Sequence, residues 1–287
     1  MNEFSCPQFQ FFINPTFQAL QLLGGSGTNE EIYEKVIEIM KLSDEVLEFP
    51  HLNSSSQSEV RYRMAWARTY LNKAKVITNS ARSVWSINPE YTNVRSVDTE
   101  TIVKEVRKLS TKKSISEQNV NDNNLENDGV ELPDEIKPWR KKLYDVLINM
   151  DPYAFERLTK RLLRECGFVQ VEVTKKSNDG GIDGTGKLKI NGIFSFNIAF
   201  QCKRYQGTVG SGDIRDFRGS LTTDIEKGVF ITTGSFSKAA REEASDPGKQ
   251  QIDLIDGEEF IDKLAEFGVG IREIKDYVID EEYFSKI

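Results

Sequence analysis

Apolar positions in the first third of the chain recur at helical spacing. Residues 15–23 form one such stretch, and Gly24-Gly25 stops it. Thr28 and Glu31 have the spacing of a capping box ahead of a helix through Ile32, Val36 and Ile39. A third helix is predicted from about Gln57 to Ala74, where Val60, Met64, Ala67, Leu71 and Ala74 step by fours and threes and define one buried face. Two alternating runs follow, KVITNS and SVWSIN, joined by a tight turn near residues 79–82. Three helices and a hairpin are the order of a winged helix-turn-helix. With the core face of the third helix so placed, Arg61, Arg68 and Asn72 fall on one flank, and Tyr62, Trp66 and Lys73 point away from the core.

The pattern changes past residue 137. The segment DPYAFERLTKRLLRECGF reads as a helix capped by Asp151-Pro152, with Phe155, Leu158, Leu162, Leu163 and Cys166 as its buried stripe. Strand-like runs VQVEVTK, GKLKI and FNIAFQCKRY come next. A helix around residues 214–221, the buried strand GVFITT, a helix from Ser237, the strand QIDLID and a helix from Glu258 complete the order. Such an order predicts a mixed sheet flanked by helices. Between the halves, residues 110–135 carry few apolar side chains and no aromatic, and read as a flexible linker. The expected architecture is therefore a winged helix over 10–109, a linker over 110–136, and an α/β domain over 137–287 that ends in an acidic tail.

Composition narrows the chemistry. With 38% apolar and 10% aromatic residues in 287, each half can build a core. No window approaches a membrane span, and the start MNEFSCPQFQFFINP lacks the features of a secretory signal, so a soluble, cytoplasmic protein is expected. Cys6, Cys166 and Cys202 offer no CxxC pair, and His51 is the single histidine. Almost every mechanism built on a His triad, a His-ligated zinc or a His general base is thereby removed. No P-loop is present to drive translocation with a nucleotide. The net charge of -7 resides in residues 253–287, while residues 61–88 hold Arg61, Arg63, Arg68, Lys73, Lys75 and Arg82 without an acid. That basic stretch is a candidate DNA surface. Arg61, Arg63, Arg68, Lys73 and Lys75 would neutralise phosphates, and Trp66 and Asn72 would meet bases. A solvated basic helix with Tyr62 and Trp66 packed on a neighbouring segment is the alternative.

Two segments carry candidate chemistry. NDGGIDG places Asp183 in a glycine-rich turn, where backbone and ligand can approach closely. FQCKRY puts Gln201 and Lys203 on one face of a strand, with Ile198, Phe200 and Cys202 on the other. A carboxylate, an amide oxygen and an ammonium in one place suit Mg²⁺ and a phosphodiester. Taken singly, each element also has an ordinary role, as a turn former or a solvated strand face. Thr232, Thr233, Ser235 and Lys238 follow a strand and open a helix, which suits either phosphate oxygens or simple capping. Arg215 and Arg218 stand equally between a DNA-backbone contact and an exposed helix face.

In their order and spacing, FERLTKRLL, SNDGGIDG, FQCKRY, KGVFITTGSFSKAA and IDLIDGEEF resemble the Mrr-like restriction endonucleases, a branch of the PD-(D/E)xK nuclease superfamily. The resemblance covers residues 150–270, and residues 13–95, with RMAWARTYL, look like the winged-helix domain many relatives carry. It implies that Asp183 and Gln201 are metal ligands, that Lys203 is the catalytic lysine, and that Glu156 is an additional carboxylate near the metal. Most of the superfamily has Asp or Glu where Gln201 stands. The implied activity is that of a type IV-like restriction endodeoxyribonuclease, Mg²⁺-dependent, acting on modified (methylated) foreign double-stranded DNA, as a homodimer where both strands are cut. Tyr62, Trp66, Tyr70 and Trp85 are raw material for a pocket around an extruded base. A structure-specific or repair nuclease, and a non-cleaving DNA-binding regulator, are the alternatives.

Overall fold

Phe9, Phe12, Ile13, Phe17 and Leu20 are fully buried along the first helix, α1 (Gln10–Leu22). The helix starts earlier than the pattern predicts and runs through Pro15, because the apolar side chains ahead of the proline repay the one backbone bond it removes. A short strand β1 (Ser26–Thr28) leads into α2 (Asn29–Met40), whose N-terminus is the expected capping box. The Thr28 hydroxyl accepts from the Glu31 N–H, and the Glu31 carboxylate accepts from the Thr28 N–H at 2.8 Å. After the four-residue α3 (Asp44–Leu47) comes α4 (Glu59–Lys73), then the hairpin of β2 (Ile77–Ala81) and β3 (Val84–Ile87), and then α5 (Thr99–Thr111). β3 is the middle strand of a three-stranded antiparallel sheet, with β1 on one side and β2 on the other. This is a helical unit with a β-wing.

The computed structural model describes residues 6–51, 58–81, 83–111, 130, 132–133, 136–173, 181–190 and 193–274. Two compact units divide the chain, Met1–Asn149 and Met150–Ile287. The break therefore falls after α6 (Pro138–Asn149), later than the expected residue 137. Most of the expected linker, and the end of the acidic tail, lie outside the described residues. Its final part does not behave as a linker: Val130 is buried in the core of the first unit, and Leu132 and Ile136 pack against that core.

The third predicted helix has a different role from the expected one. Tyr62, Trp66 and Tyr70 are buried, as are Val60, Met64, Ala67 and Leu71 on the other face, so α4 is the central helix of the first unit. The Trp66 ring meets Tyr62 and Tyr70 edge-on or tilted, with centroids 6.5 and 6.3 Å away. Arg68 is only 4% exposed. Tyr62, Trp66 and Arg68 of the expected recognition face are thus interior, while Asn72 is half-buried and Lys73 exposed.

The second unit starts with α7 (Pro152–Glu165), capped by the Asp151 carboxylate on the Ala154 N–H at 3.1 Å. It continues with β4 (Phe168–Val173), β5 (Gly184–Ile190), β6 (Phe194–Lys203), β7 (Thr208–Val209), α8 (Ser211–Ser220), β8 (Lys227–Thr232), β9 (Ser235–Phe236), α9 (Lys238–Ala244), β10 (Ile252–Ile255) and α10 (Gly257–Glu266). The sheet order is β10-β8-β6-β5-β4, with β6, β8 and β10 parallel and β4, β5 and β6 antiparallel. It is the mixed sheet that the element order predicts. Phe155 of α7 and Phe260 of α10 pack together, and Phe217 of α8 packs edge-on against Phe230 of β8. β7 and β9 form a separate two-residue parallel ladder that composition does not signal. No helix among the described residues is long and apolar enough to cross a membrane.

Because Trp66 fills the middle of the first core, Trp66→Ala is expected to lower unfolding free energy by about 3–5 kcal/mol. Lys73→Ala, on the exposed last turn of the same helix, should change it by less than about 0.5 kcal/mol. Guanidinium unfolding curves of the two variants check this, and a Trp66→Ala protein as stable as wild type would refute a central α4.

Candidate active site

β6 is the middle strand of the large sheet, and Asp183 docks against its far end. The Asp183 N–H donates to the Phe200 carbonyl at 3.0 Å, and its Oδ2 accepts from the Cys202 N–H at 2.6 Å. The carboxylate thus takes the place of a ladder rung, and the residue between its two attachment points is Gln201. The glycines around Asp183 make this approach possible. Gly181 has φ +100°, and a Cβ there would lie 2.8 Å from Gln201 Nε2. At Gly184 a Cβ would lie 2.3 Å from the Phe200 ring and 2.4 Å from the Glu172 carbonyl oxygen. These two glycines leave room for neighbouring protein groups, Gln201 and Phe200, rather than for a ligand directly. Residues 178–180 of the same motif lie outside the described residues.

The electrostatics of this corner disfavour its own charge. Burial pushes the Asp183 carboxyl up to about 6; the Cys202 N–H opposes that rise, and the nearby Glu156 carboxylate on α7 adds to it. Cys202, half-buried on the same strand, has its thiol pushed well up by desolvation and then by Asp183. Gln201 Oε1 is buried and finds no hydrogen-bond partner among the described residues. A buried amide oxygen without a donor is an unsatisfied acceptor, and the Asp183 carboxylate, its pKa raised, is an uncompensated charge. Asp183, Gln201 and Glu156 therefore fit a hard divalent cation, which would satisfy both. Among the described residues there is no group of three or more His, Cys, Asp and Glu that could hold a metal.

Lys203, on the same strand face as Gln201, pairs with Asp213 Oδ1 at 2.6 Å and lies 5.2 Å from the centre of the Tyr205 ring. Neither Asp213 nor Tyr205 is among the expected site residues. The signal for Asp213 lies in the third residue of a helix ten positions past the lysine, which no strand motif includes.

Other nominated residues are taken up by the fold. Thr232 and Thr233 are fully buried and bond backbone groups of Lys203, Tyr205 and Gly234. Ser235 meets the Thr208 hydroxyl at 3.1 Å, and Lys238 is exposed at the start of α9. Arg218 binds the Glu243 carboxylate and carbonyl and the Gln250 carbonyl, and Arg215 reaches Glu243 at 3.4 Å. In the first unit, Arg61 pairs with Glu30 at 2.8 Å and lies over the Tyr33 ring, and Arg63 pairs with Glu59 at 2.6 Å. Burial raises the Glu59 carboxyl, but bonds from His51 and Arg63 outweigh it and hold that carboxyl low. His51 stacks on Tyr62 at 3.8 Å. Trp85 is buried and donates to Asn29 Oδ1 at 2.8 Å. The aromatics considered for a base pocket are thus packed in a core. Asn72 is half-buried, while Lys73 and Lys75 are exposed where α4 turns into the wing.

Residues 9–95 match the Mrr N-terminal domain, and residues 147–264, which contain Glu156, Asp183, Gln201 and Lys203, match the restriction endonuclease domain of the same name. The chain is an Mrr-like restriction endonuclease. This Mrr-like chain is 25% identical over 306 residues to the type IV methyl-directed restriction enzyme EcoKMrr of Escherichia coli (strain K12), with 97% of the chain and 99% of that relative covered. Solved structures similar to it include the DNA modification-dependent restriction endonuclease AspBHI, at 19% identity and TM-score 0.41 over 66% of this chain and 53% of that one. MspJI restriction endonuclease in complex with a 27-mer oligonucleotide matches at 16% identity and TM-score 0.38, over 70% and 56%. The Mrr-like chain spans about half the length of these two solved proteins.

Since the Asp183 pKa is raised above its unfolded value, its charged form destabilises the folded Mrr-like protein at neutral pH. Asp183→Asn keeps an oxygen for the Cys202 N–H and removes the charge. It should raise Tm at pH 7 in EDTA, by an amount that shrinks as pH falls from about 6 towards the unfolded carboxyl range and vanishes below it. Thermal scans of both proteins from pH 4 to pH 8 test this, and an unchanged or lower Tm at pH 7 would contradict the assigned burial of charge.

Proposed function

We propose that this Mrr-like endonuclease cuts double-stranded DNA that carries methylated bases, using Mg²⁺ held by Asp183, Gln201 and Glu156. The observation that carries the reading is the unsatisfied Gln201 Oε1 beside a carboxylate whose charge is opposed by its surroundings. Bound there, the cation supplies Lewis-acid polarisation of the scissile phosphoryl group. The protein's own part follows from where its side chains stand. Asp183, tied to the Cys202 N–H, is held in one orientation and needs no reorganisation during reaction. Lys203 brings a positive charge to the same strand face, where it holds the attacking water and offsets charge growing on phosphorus. Gln201 contributes an oxygen without a second full charge, so the anionic share falls on Asp183 and Glu156.

Modification dependence is supported by the description of the E. coli relative as methyl-directed. The first unit supplies DNA contacts through Lys73, Lys75 and the wing, since Trp66 and Arg68 are interior. One such site per chain cuts one strand at a time, so double-strand cleavage takes two copies.

Matched methylated and unmodified duplexes, incubated with Mg²⁺ or EDTA and read on a gel, test the proposal. Wild type should cut the methylated duplex in Mg²⁺ alone, and Asp183→Ala should bring cutting below detection while DNA affinity stays within about twofold. Gln201→Glu should retain more activity than Gln201→Ala, because it keeps an oxygen for the cation. Normal cutting by Asp183→Ala would remove the site, and equal cutting of both duplexes would remove the modification dependence.

A further inference from the structure

The end of β6 is fastened by more than its ladder. Thr232 donates its hydroxyl to the Lys203 carbonyl at 2.8 Å, and the Thr233 N–H points at the same oxygen from 3.4 Å. Thr233 Oγ1 accepts from the Tyr205 N–H at 2.8 Å and donates to the Tyr205 carbonyl at 2.9 Å. Both threonines are fully buried, so water does not compete for these bonds. The backbone immediately after the Lys203 side chain is therefore held at the Lys203 carbonyl and at both groups of Tyr205.

Asp213 is held as firmly by a different set of contacts. Val209, just before α8, belongs to the β7–β9 ladder and accepts from the Ser237 N–H at 3.0 Å. Ile214 and Phe217 then bury in one apolar cluster with Phe230 and Phe236. Two independently anchored backbones thus bring one carboxylate to one ammonium. The Tyr205 ring borders the lysine at 5.2 Å from its centre. Both partners of the ion pair remain about a third exposed, at 35% and 38% of their side chains. An exposed pair of this kind is screened by solvent and adds little to stability. Its effect falls on the lysine stem, whose four rotatable carbons otherwise let the ammonium sample many positions.

We infer that Asp213 is a positioning residue for Lys203: it confines the ammonium before DNA arrives and so pre-pays part of the orientation that catalysis requires. The inference rests on the reading of Lys203 as the group that serves the scissile phosphate. Asp213 is not among the residues proposed to hold the cation.

The test uses the full chain and the methylated duplex that wild type cuts, with kcat, KM and Tm measured for Lys203→Ala, Asp213→Ala, Asp213→Asn and Asp216→Asn. Asp213→Ala should lose up to about 100-fold in kcat, the scale on which misplacing a catalytic group acts, with KM and Tm near wild type. Asp213→Asn should recover part of that loss, because its amide oxygen still accepts from the ammonium. Asp216→Asn removes the same charge from an exposed position of the same helix and should behave as wild type. An inactive Lys203→Ala beside a fully active or faster Asp213→Ala overturns the inference alone. A loss confined to KM, or an equal loss in Asp216→Asn, overturns it as well. A fully active Lys203→Ala overturns the reading of Lys203 and the inference with it.

Discussion

The hydrogen bond from the Cys202 N–H to Asp183 Oδ2 is the tie on which the site depends. A side-chain oxygen here does what a backbone carbonyl does elsewhere along β6, and so a loop that precedes β5 is registered to a particular residue of the central strand. Registration brings Gly181 over the Gln201 amide and lets the Phe200 ring close on Gly184. The same bond stabilises the ionised carboxylate, while burial and Glu156 work against it. Burial and repulsion win by enough to leave the acid raised, a perturbation of the kind that clusters at functional sites.

Much of the second unit is legible from patterning. GVFITT is a continuous apolar run because β8 is covered on both faces, as a parallel strand in mid-sheet must be. Gln201 and Lys203 share a face because strands alternate, and Phe230, paired in register with Gln201, packs on α8 from that face. The tie through Cys202 is not legible, since a side chain bonding a backbone nineteen residues away leaves no local mark. Nor is the Lys203–Asp213 pair, because its members belong to different elements.

The first unit misleads for definite reasons. Val60, Met64, Ala67 and Leu71 mark one apolar face of α4, but Tyr62, Trp66 and Tyr70, each four apart, mark a second. A helix with two such stripes is interior rather than amphipathic. The acid-free window 61–88 likewise describes the chain and not the space around it. Glu30 comes to Arg61 from α2, and Glu59, just outside the window, reaches Arg63 one turn away. Average polarity hides Val130 in the same manner: one well-placed valine anchors a stretch whose composition is otherwise that of a linker.

That anchor changes what the middle of the chain can tolerate. α5 ends at Thr111 and Val130 is buried in the same core, so these two points of the chain are both anchored in the first unit. The covalent connection between units is the short passage from Asn149 to the Asp151 cap. Sequence added between two points anchored in one core is closed at both ends, and the entropy cost of such closure grows by only about 0.6 kcal/mol for each doubling of length. Adding it at 150 lengthens the leash between the two units. Insertions of equal size at the two places thus differ in kind: one alters a loop's entropy, and the other alters the reach of one unit from the other.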